Sequence, residues 1–297
     1  MTSWEHYLRP GSLEEALAIL VEAGGSARIV AGGTDLLLDI QQGRHPPVNS
    51  LVDVTRIPEM QAIAATHDEI YLGAAVTHTT IVGDPLLLEN AGCLVEACGL
   101  IGGPQVRNVA TIGGNVAHAL PAGDGTIALL ALQAQAQIAS ADGRKWVDLE
   151  ELFRGPGQTT FDRAREILVG FRFKMRRPGE TNAFRRIMRP QGVAIAILNM
   201  AIWLRRPAGS IVEDIRLAVG PAGPRPLRAR QTEAVLRGRE LSGDVVGQAT
   251  DVLLREAHLR TSPHRATVEY RRHLIGVLLR RTLTAAGVET AMADESA

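Results

Sequence analysis

Two short glycine-bearing runs carry the residues best suited to chemistry in this 297-residue chain: Ala31-Gly32-Gly33-Thr34-Asp35 and Thr111-Ile112-Gly113-Gly114-Asn115. The first lies between a short apolar run, 27–30, and a helical pattern beginning at Leu36. Glycine in such a turn permits positive φ and leaves backbone N–H groups uncovered. A helix N-terminus behind it adds partial positive charge, so turn and helix make an anion site suited to phosphate. Thr34 adds a hydroxyl donor. The alternative is a simple tight turn, with Asp35 as a first-turn acid on the helix dipole. The second run offers another group of bare amides, with Thr111 and Asn115 as side-chain donors, or else a structural turn. Two such turns in one half of the chain favour a diphosphate-bearing ligand over coincidence. Asp124 follows Pro121 and Gly123 and precedes a helical run. It reads as an N-cap or as a carboxylate accepting from a sugar hydroxyl, and one residue can do both.

Other chemistries lack their residues. Neither glycine run fits GxGxxG, so a Rossmann fingerprint is absent, and there is no Walker-type phosphate loop. Lys145 and Lys174 are the only lysines, which argues against Schiff-base chemistry. His67, His78 and His118 are too scattered to read as metal ligands, and no CxxC accompanies them. His118, just after the second run, reads as a turn or surface histidine, with a ligand-facing role as the alternative. No serine or cysteine has the context of a nucleophile. Cys93 and Cys98 read as buried small hydrophobes, which suits a reducing cytoplasm. No catalytic side chain and no metal centre is expected from this chain itself.

The elements that must position these residues follow from periodicity. Residues 4–8 suit a short strand. Ser12 and Glu15 form a capping box ahead of a helix that ends at Gly24-Gly25. Strands at 27–30 and 51–54 enclose a helix at 36–40, giving β-α-β-α-β and closing near Pro58. A strand is expected at 69–74 and helices at 77–82 and 86–100. Residues 101–126 read as a loop-rich, functionally engaged stretch. A helix at 127–132, a hairpin around Asp142-Gly143 and a strand at 166–173 follow. Beyond Arg176-Arg177-Pro178-Gly179 the pattern resets: strands at 181–189, 193–205 and 211–219, a proline-rich turn at 220–227, then helices at 228–237, 244–259 and 265–286. Strands followed by helices suggest a second α+β layer. The last ten residues or so read as a frayed tail.

Charge divides with the pattern. The 32 basic and 32 acidic residues cancel, yet residues 1–170 hold 10 basic against 20 acidic side chains, and the remainder 22 against 12. A basic half invites a nucleic-acid reading. Against it, aromatic residues make up only 4% of the chain, and Arg271, Arg272, Arg280 and Arg281 share an amphipathic helix with Leu274, Ile275, Leu278 and Leu279. That helix reads as a solvated or partner-facing side, and exchanging Arg271 and Arg272 for Glu is expected to weaken assembly. The longest apolar runs, such as 193–204, fall short of the ~20 residues that a membrane helix needs, and no signal peptide is visible.

With AGGTD at 31–35 and TIGGN at 111–115, preceded by VRNVA and followed by ALPAGDG, the chain resembles the FAD-binding medium subunits of molybdenum hydroxylases, of the carbon monoxide dehydrogenase and xanthine dehydrogenase type. The likeness extends through EILVGFRF (166–173), LAVGPAGPRPLRA (217–229) and YRRHLIGVLLRRTL (270–283). The resemblance implies an α+β fold. Residues 1–175 would form a two-subdomain FAD-binding domain of the vanillyl-alcohol oxidase or p-cresol methylhydroxylase (PCMH) type, with subdomains at about 1–58 and 59–175. Residues 176–286 would form an α+β C-terminal domain with a three-stranded sheet plus helices, and 287–297 a disordered tail. It implies FAD as cofactor, a molybdopterin-binding large subunit and a small subunit with 2Fe–2S clusters as partners, and a dimer of heterotrimers. Electrons would enter from the iron–sulfur clusters and leave to NAD, a quinone or oxygen. The alternative is a stand-alone FAD-dependent oxidase of the same fold class.

Carried over by position, the resemblance implies that Ala31, Gly32, Gly33, Thr34 and Asp35 wrap the pyrophosphate, flanked by Ile29 and Val30. Thr111, Gly113, Gly114 and Asn115 would make a second phosphate and ribityl contact. Asp124 would bond a ribose or ribityl hydroxyl, and Ile167 and Leu168 would pack near the adenine or the ring. Ile101 and Gly102 would lie in a loop approaching the isoalloxazine. Arg185 falls where some members place a lysine near the flavin. His118, Leu120 and Gly123 depart from the commoner Asn, Ser and Ala of the family.

Overall fold

The computed structural model describes residues 4–44, 48–189, 195–207 and 209–288. The chain opens with β1 (His6–Leu8), α1 (Leu13–Ala23), β2 (Ala27–Val30), α2 (Leu36–Gln41) and β3 (Ser50–Asp53). The strands form a parallel sheet in the order β1-β3-β2. Its core follows from alternation. Ala27 and Val52 face the apolar side of α1, built by Leu13, Ala16 and Leu20. Val30 and Leu51 belong instead to a separate small cluster with Ile40 of α2. The Ser12 hydroxyl accepts from the Glu15 N–H, but the Glu15 carboxylate takes the Gly11 N–H, so the box closes one residue early. Gly24 ends α1 in the left-handed region at φ 55°.

Next come α3 (Pro58–Gln61), β4 (Ile63–Thr66), β5 (Glu69–Gly73), α4 (His78–Gly83), α5 (Pro85–Asn90), α6 (Gly92–Gly99), α7 (Pro104–Arg107), α8 (Ile112–Ala117) and α9 (Asp124–Ala131). Then follow β6 (Gln135–Ser140), β7 (Gly143–Asp148), a short hairpin of β8 (Phe153–Gly155) and β9 (Gln158–Thr159), and β10 (Ile167–Lys174). Strands β4-β5-β10-β6-β7 make an antiparallel sheet with a register shift between Leu168 and Gly170. Two expectations change here. The helix expected over 86–100 breaks at Ala91, and the loop-rich 101–126 contains two complete short helices. Pro104 starts α7, while the Thr111 hydroxyl caps α8 by accepting the Gly114 N–H at 3.1 Å. Short helices capped in this way leave too little apolar periodicity to be seen in sequence.

The last third contains β11 (Glu180–Ile187), β12 (Leu198–Arg205), β13 (Ile211–Val212), β14 (Asp214–Gly220), β15 (Leu227–Arg228), α10 (Arg230–Leu236), β16 (Arg239–Glu240), α11 (Gly243–Glu256) and α12 (Val268–Ala285). The main sheet has four strands, β11-β12-β14-β15, where three were expected. The proline-rich turn delivers Leu227 and Arg228 back to the edge of β14. The apolar run before Arg205 is a strand buried on both faces. Leu198, Met200, Ile202 and Leu204 meet the helices α10–α12, while Ala201 and Trp203 join the core of the first part of the chain.

Arg271 corrects a further expectation. It is 3% exposed, and its Nη1 donates to the Ile197 carbonyl at 2.7 Å. It therefore pins α12 to the start of β12 rather than facing a partner, while Arg272 and Arg281 are exposed. Both cysteines are free and buried, as expected. Gly287 is exposed but donates its N–H to the Thr284 carbonyl, and Val288 is buried with its N–H donating to Leu283; 289–297, the rest of the expected tail, lie outside the described residues. Residues 193–194 of the expected strand 193–205 also lie outside them.

Candidate functional site

The two glycine runs meet. Gly32 packs so closely on Val109 and Ala110 that a Cβ there would overlap the Val109 carbonyl. Gly113 packs as closely on Ala74, to whose carbonyl its N–H donates at 2.8 Å. These approaches require glycine and bring residues 31–35 and 109–115 to one cavity of about 550 Å³. That volume is in the range of ligand sites, about 300–1,000 Å³. The segment 161–168 forms a third wall, where the register shift in β10 follows directly on Ile167 and Leu168.

Each wall contributes a different chemistry. Gly33 has φ 68°, turning the chain sharply out of β2. Among the described residues, the N–H groups of Gly32, Gly33, Thr34 and Asp35 donate to no acceptor in the chain. This is the uncovered amide group expected of an anion site. Asp35 is the residue preceding α2 and makes no side-chain cap bond. Its carboxylate lies 4.0 Å from His118 Nε2.

The second run behaves differently from expectation. Its amides are occupied: Ile112 donates to Val76, Gly113 to Ala74, Gly114 to the Thr111 hydroxyl and Asn115 to the Thr111 carbonyl. It therefore offers not bare amides but a surface without side chains. Gly114 is exposed, and a Cβ on it would meet only Thr111 Oγ1, at 3.2 Å. The Asn115 side-chain oxygen accepts from the N–H and hydroxyl of Thr126, each at 3.0 Å, which turns its amide nitrogen away from α9.

Of the residues singled out from sequence, Ile29, Val30, Ala31, Gly32, Gly33, Thr34, Asp35, Ile101, Thr111, Gly113, Gly114, Asn115, Ile167 and Leu168 line the cavity, as does His118. Gly102, Asp124 and Arg185 do not. Gly102 has φ 54°, and its carbonyl accepts from Arg107 Nη1 at 2.7 Å, as the Ile101 carbonyl does at 3.1 Å. Gly123 is the N-cap of α9, and Asp124 is its first residue. Asp124 is buried against Arg186 Nη1 at 2.6 Å and Asn199 Nδ2 at 2.6 Å. Burial raises its carboxyl above the usual range, in spite of the Arg186 guanidinium. Arg185 pairs with Glu96 at 2.9 Å.

Sequence reasoning missed several wall residues. Arg163 crosses from the 161–168 segment to donate to the Ala117 and Gly157 carbonyls and to Thr159. Burial, then the charge of Arg28, lowers its pKa, and both arginines line the cavity. His78 also lines it. Burial, then Arg107, pushes the His78 imidazole down to about 4. No motif marks any of these three; only the fold collects them. Among the described residues no group of side chains is arranged to hold a metal ion, and no helix is long and apolar enough to cross a membrane.

Comparison with known proteins places this arrangement. Residues 2–173 match the family model of the FAD binding domain in molybdopterin dehydrogenase, and residues 182–286 that of the CO dehydrogenase flavoprotein C-terminal domain. The nicotine 6-hydroxylase medium subunit of Paenarthrobacter nicotinovorans is 32% identical over 285 residues, covering 96% of this chain and 98% of its own. A putative xanthine dehydrogenase FAD-binding subunit of Escherichia coli K12 is 29% identical, covering 96% and 97%. The structure of carbon monoxide dehydrogenase from Hydrogenophaga pseudoflava includes a chain that superposes with a TM-score of 0.90 at 29% identity, covering 97% of this chain and 98% of that one.

Proposed function

The chain belongs to the family of FAD-binding medium subunits of molybdenum hydroxylases, and from that premise we propose that the cavity holds FAD across its two glycine walls. The observation that carries this is the contact of Gly32 with Val109–Ala110, which sets the uncovered amides of residues 32–35 beside the side-chain-free face of α8. The residues fit the group: amides without acceptors suit a pyrophosphate, and Gly114 leaves room for backbone approach.

The N–H groups of Gly32, Gly33, Thr34 and Asp35 then bind phosphate oxygens, with Ile29, Val30 and Ala31 shaping the wall behind them. The Asn115 amide and the open face of Gly114, held in place by Thr111 and by the packing of Gly113 on Ala74, receive the second phosphate and the ribityl chain. Ile101, Ile167 and Leu168 give apolar contact to the rings and exclude water. Four residues act from behind the wall. Gly102 and Arg107 hold the Ile101 loop, Asp124 anchors α9 next to the site, and Arg185 fixes β11 to α6 through Glu96. Bound flavin supplies redox chemistry by accepting electrons and passing them on. The chain orients it and sets its surroundings.

The same reading makes residues 1–175 a two-subdomain domain of the PCMH type, divided near 58, and 176–286 the C-terminal domain. The two cores on either side of β12 support that division. It also makes the protein a cytoplasmic partner of a molybdopterin-binding large subunit and a 2Fe–2S small subunit, in a dimer of heterotrimers that delivers electrons to NAD, a quinone or oxygen. The test is purification of the tagged chain co-expressed with its genomic neighbours. A yellow complex of three chains that releases FAD on acid treatment is expected. A colourless chain that takes up no added FAD overturns the cofactor reading, and a yellow chain without companions overturns the assembly reading.

A further inference from the structure

His78 is a buried side chain that the fold leaves incomplete. It is 1% exposed, yet it lines the cavity. Its Nδ1 is buried and has no hydrogen-bond partner. Its position is tightly set. Thr77 caps α4, the His78 N–H donates to the Ala110 carbonyl at 3.0 Å, and Thr77 and Thr111 form a backbone bridge. The imidazole is thus built, buried, onto the same backbone that carries the second glycine run.

A buried polar group without a partner loses its hydration with nothing in return, and native structures keep such groups where something else completes them. Burial and the nearby Arg107 charge keep the ring neutral at pH 7. A neutral imidazole offers one N–H donor and one lone pair. That is poor chemistry for a phosphate, which the amides at 32–35 already suit. It matches an uncharged edge carrying carbonyl and ring-nitrogen atoms. Ile101, Val106 and Ala110, which line the same cavity, add apolar surface suited to a flat ring.

We propose that His78 hydrogen-bonds the uncharged ring portion of the bound cofactor, and so fixes its orientation and its electronic environment. This rests on the FAD reading above. The experiment uses the full chain stripped of flavin and titrated with FAD, comparing wild type, His78→Leu and His78→Gln. The Leu variant is expected to bind FAD roughly tenfold more weakly, the effect of losing one net hydrogen bond. Its bound flavin is expected to show a displaced visible absorption band and a changed reduction potential. Gln, which keeps a donor and an acceptor, should restore most of both. If wild type binds FAD and His78→Leu matches it in affinity, band position and potential, the inference fails while the FAD reading stands. If wild type takes up no FAD, the FAD reading itself fails. Equal losses in Leu and Gln, accompanied by equal falls in melting temperature, would assign His78 to packing and overturn the inference.

Discussion

At the scale of the residue, two glycines in similar motifs do different work. Gly32 is held against the Val109 carbonyl, so any Cβ forces the two glycine runs apart. Gly114 faces open space except for Thr111 Oγ1 at 3.2 Å. Gly32→Ala is therefore expected to lower the melting temperature and to lose flavin, since the overlap falls on backbone that cannot yield cheaply. Gly114→Ala is expected to keep the wild-type melting temperature within a few degrees while weakening FAD binding by tenfold or more, because the new methyl group enters the ligand's space. Thermal melts and FAD titrations of the two variants check this. Equal thermal losses in both would sink the distinction. The sequence shows that these positions are glycine. It does not show which one the fold needs and which one the ligand needs, because the neighbours of Gly32 are 77 residues away.

At the scale of the element, the parallel sheet depends on how its central strand ends. Asp53 closes β3. It accepts the Tyr7 hydroxyl of β1 at 2.8 Å and the Thr55 N–H and hydroxyl at 2.9 and 2.6 Å, and it pairs with Arg9 at 3.5 Å. Burial acts to raise its carboxyl, but these partners outweigh burial and hold it below the usual carboxylate range. A depressed folded pKa means that the stabilisation is present above the unfolded pKa of about 3.9 and lost as pH falls through the folded value. Asp53→Asn should therefore cost about 1–2 kcal/mol at pH 7, and less at an acid pH below the folded value, where the wild-type carboxyl is protonated. Urea unfolding at both pH values measures it, and a constant deficit would contradict the assignment. The strands and the cap at Ser12 were legible because they rest on contacts within one turn or one alternation. Helices α7 and α8 were not, since each is a single turn or little more, the first started by Pro104 and the second capped by Thr111.

At the scale of the whole molecule, the acidic and basic parts of the chain meet through specific pairs. Asp124 of α9 is buried against Arg186 of β11 and Asn199 of β12, and the Asn182 side-chain oxygen accepts the Cys93 N–H at 2.7 Å. Removing one partner of a buried ion pair leaves an uncompensated charge, at a cost of about 3–5 kcal/mol. Arg186→Met should therefore destabilise by that order, and adding Asp124→Leu should recover a large part of it. Denaturant midpoints of the single and double variants decide the matter, and simple additivity would argue against a coupled pair. The basic surface also changes meaning. Because Arg271 is internal, exchanging it for Glu would report on folding rather than docking. Arg272→Glu with Arg281→Glu is the cleaner test: the double variant should keep FAD and its melting temperature yet co-purify with less of the partner subunits, and unchanged co-purification would remove these side chains from the interface.

The sequence by itself determined the local devices: which turns carry glycine, where α1 is capped, that β12 is largely apolar, and, through the pairing of AGGTD with TIGGN, the family. These are properties of neighbouring residues or of short spacings. Only the tertiary structure decided that the amides of the second run are already spent on Ala74, Val76 and Thr111, while those of the first are not. It alone made the apolar β12 a strand shared by two cores, turned Arg271 inward, and gathered Arg28, His78 and Arg163 around one cavity. Hydrogen-bond satisfaction and burial are set by partners far away along the chain, and no window of sequence contains both halves of such a contact.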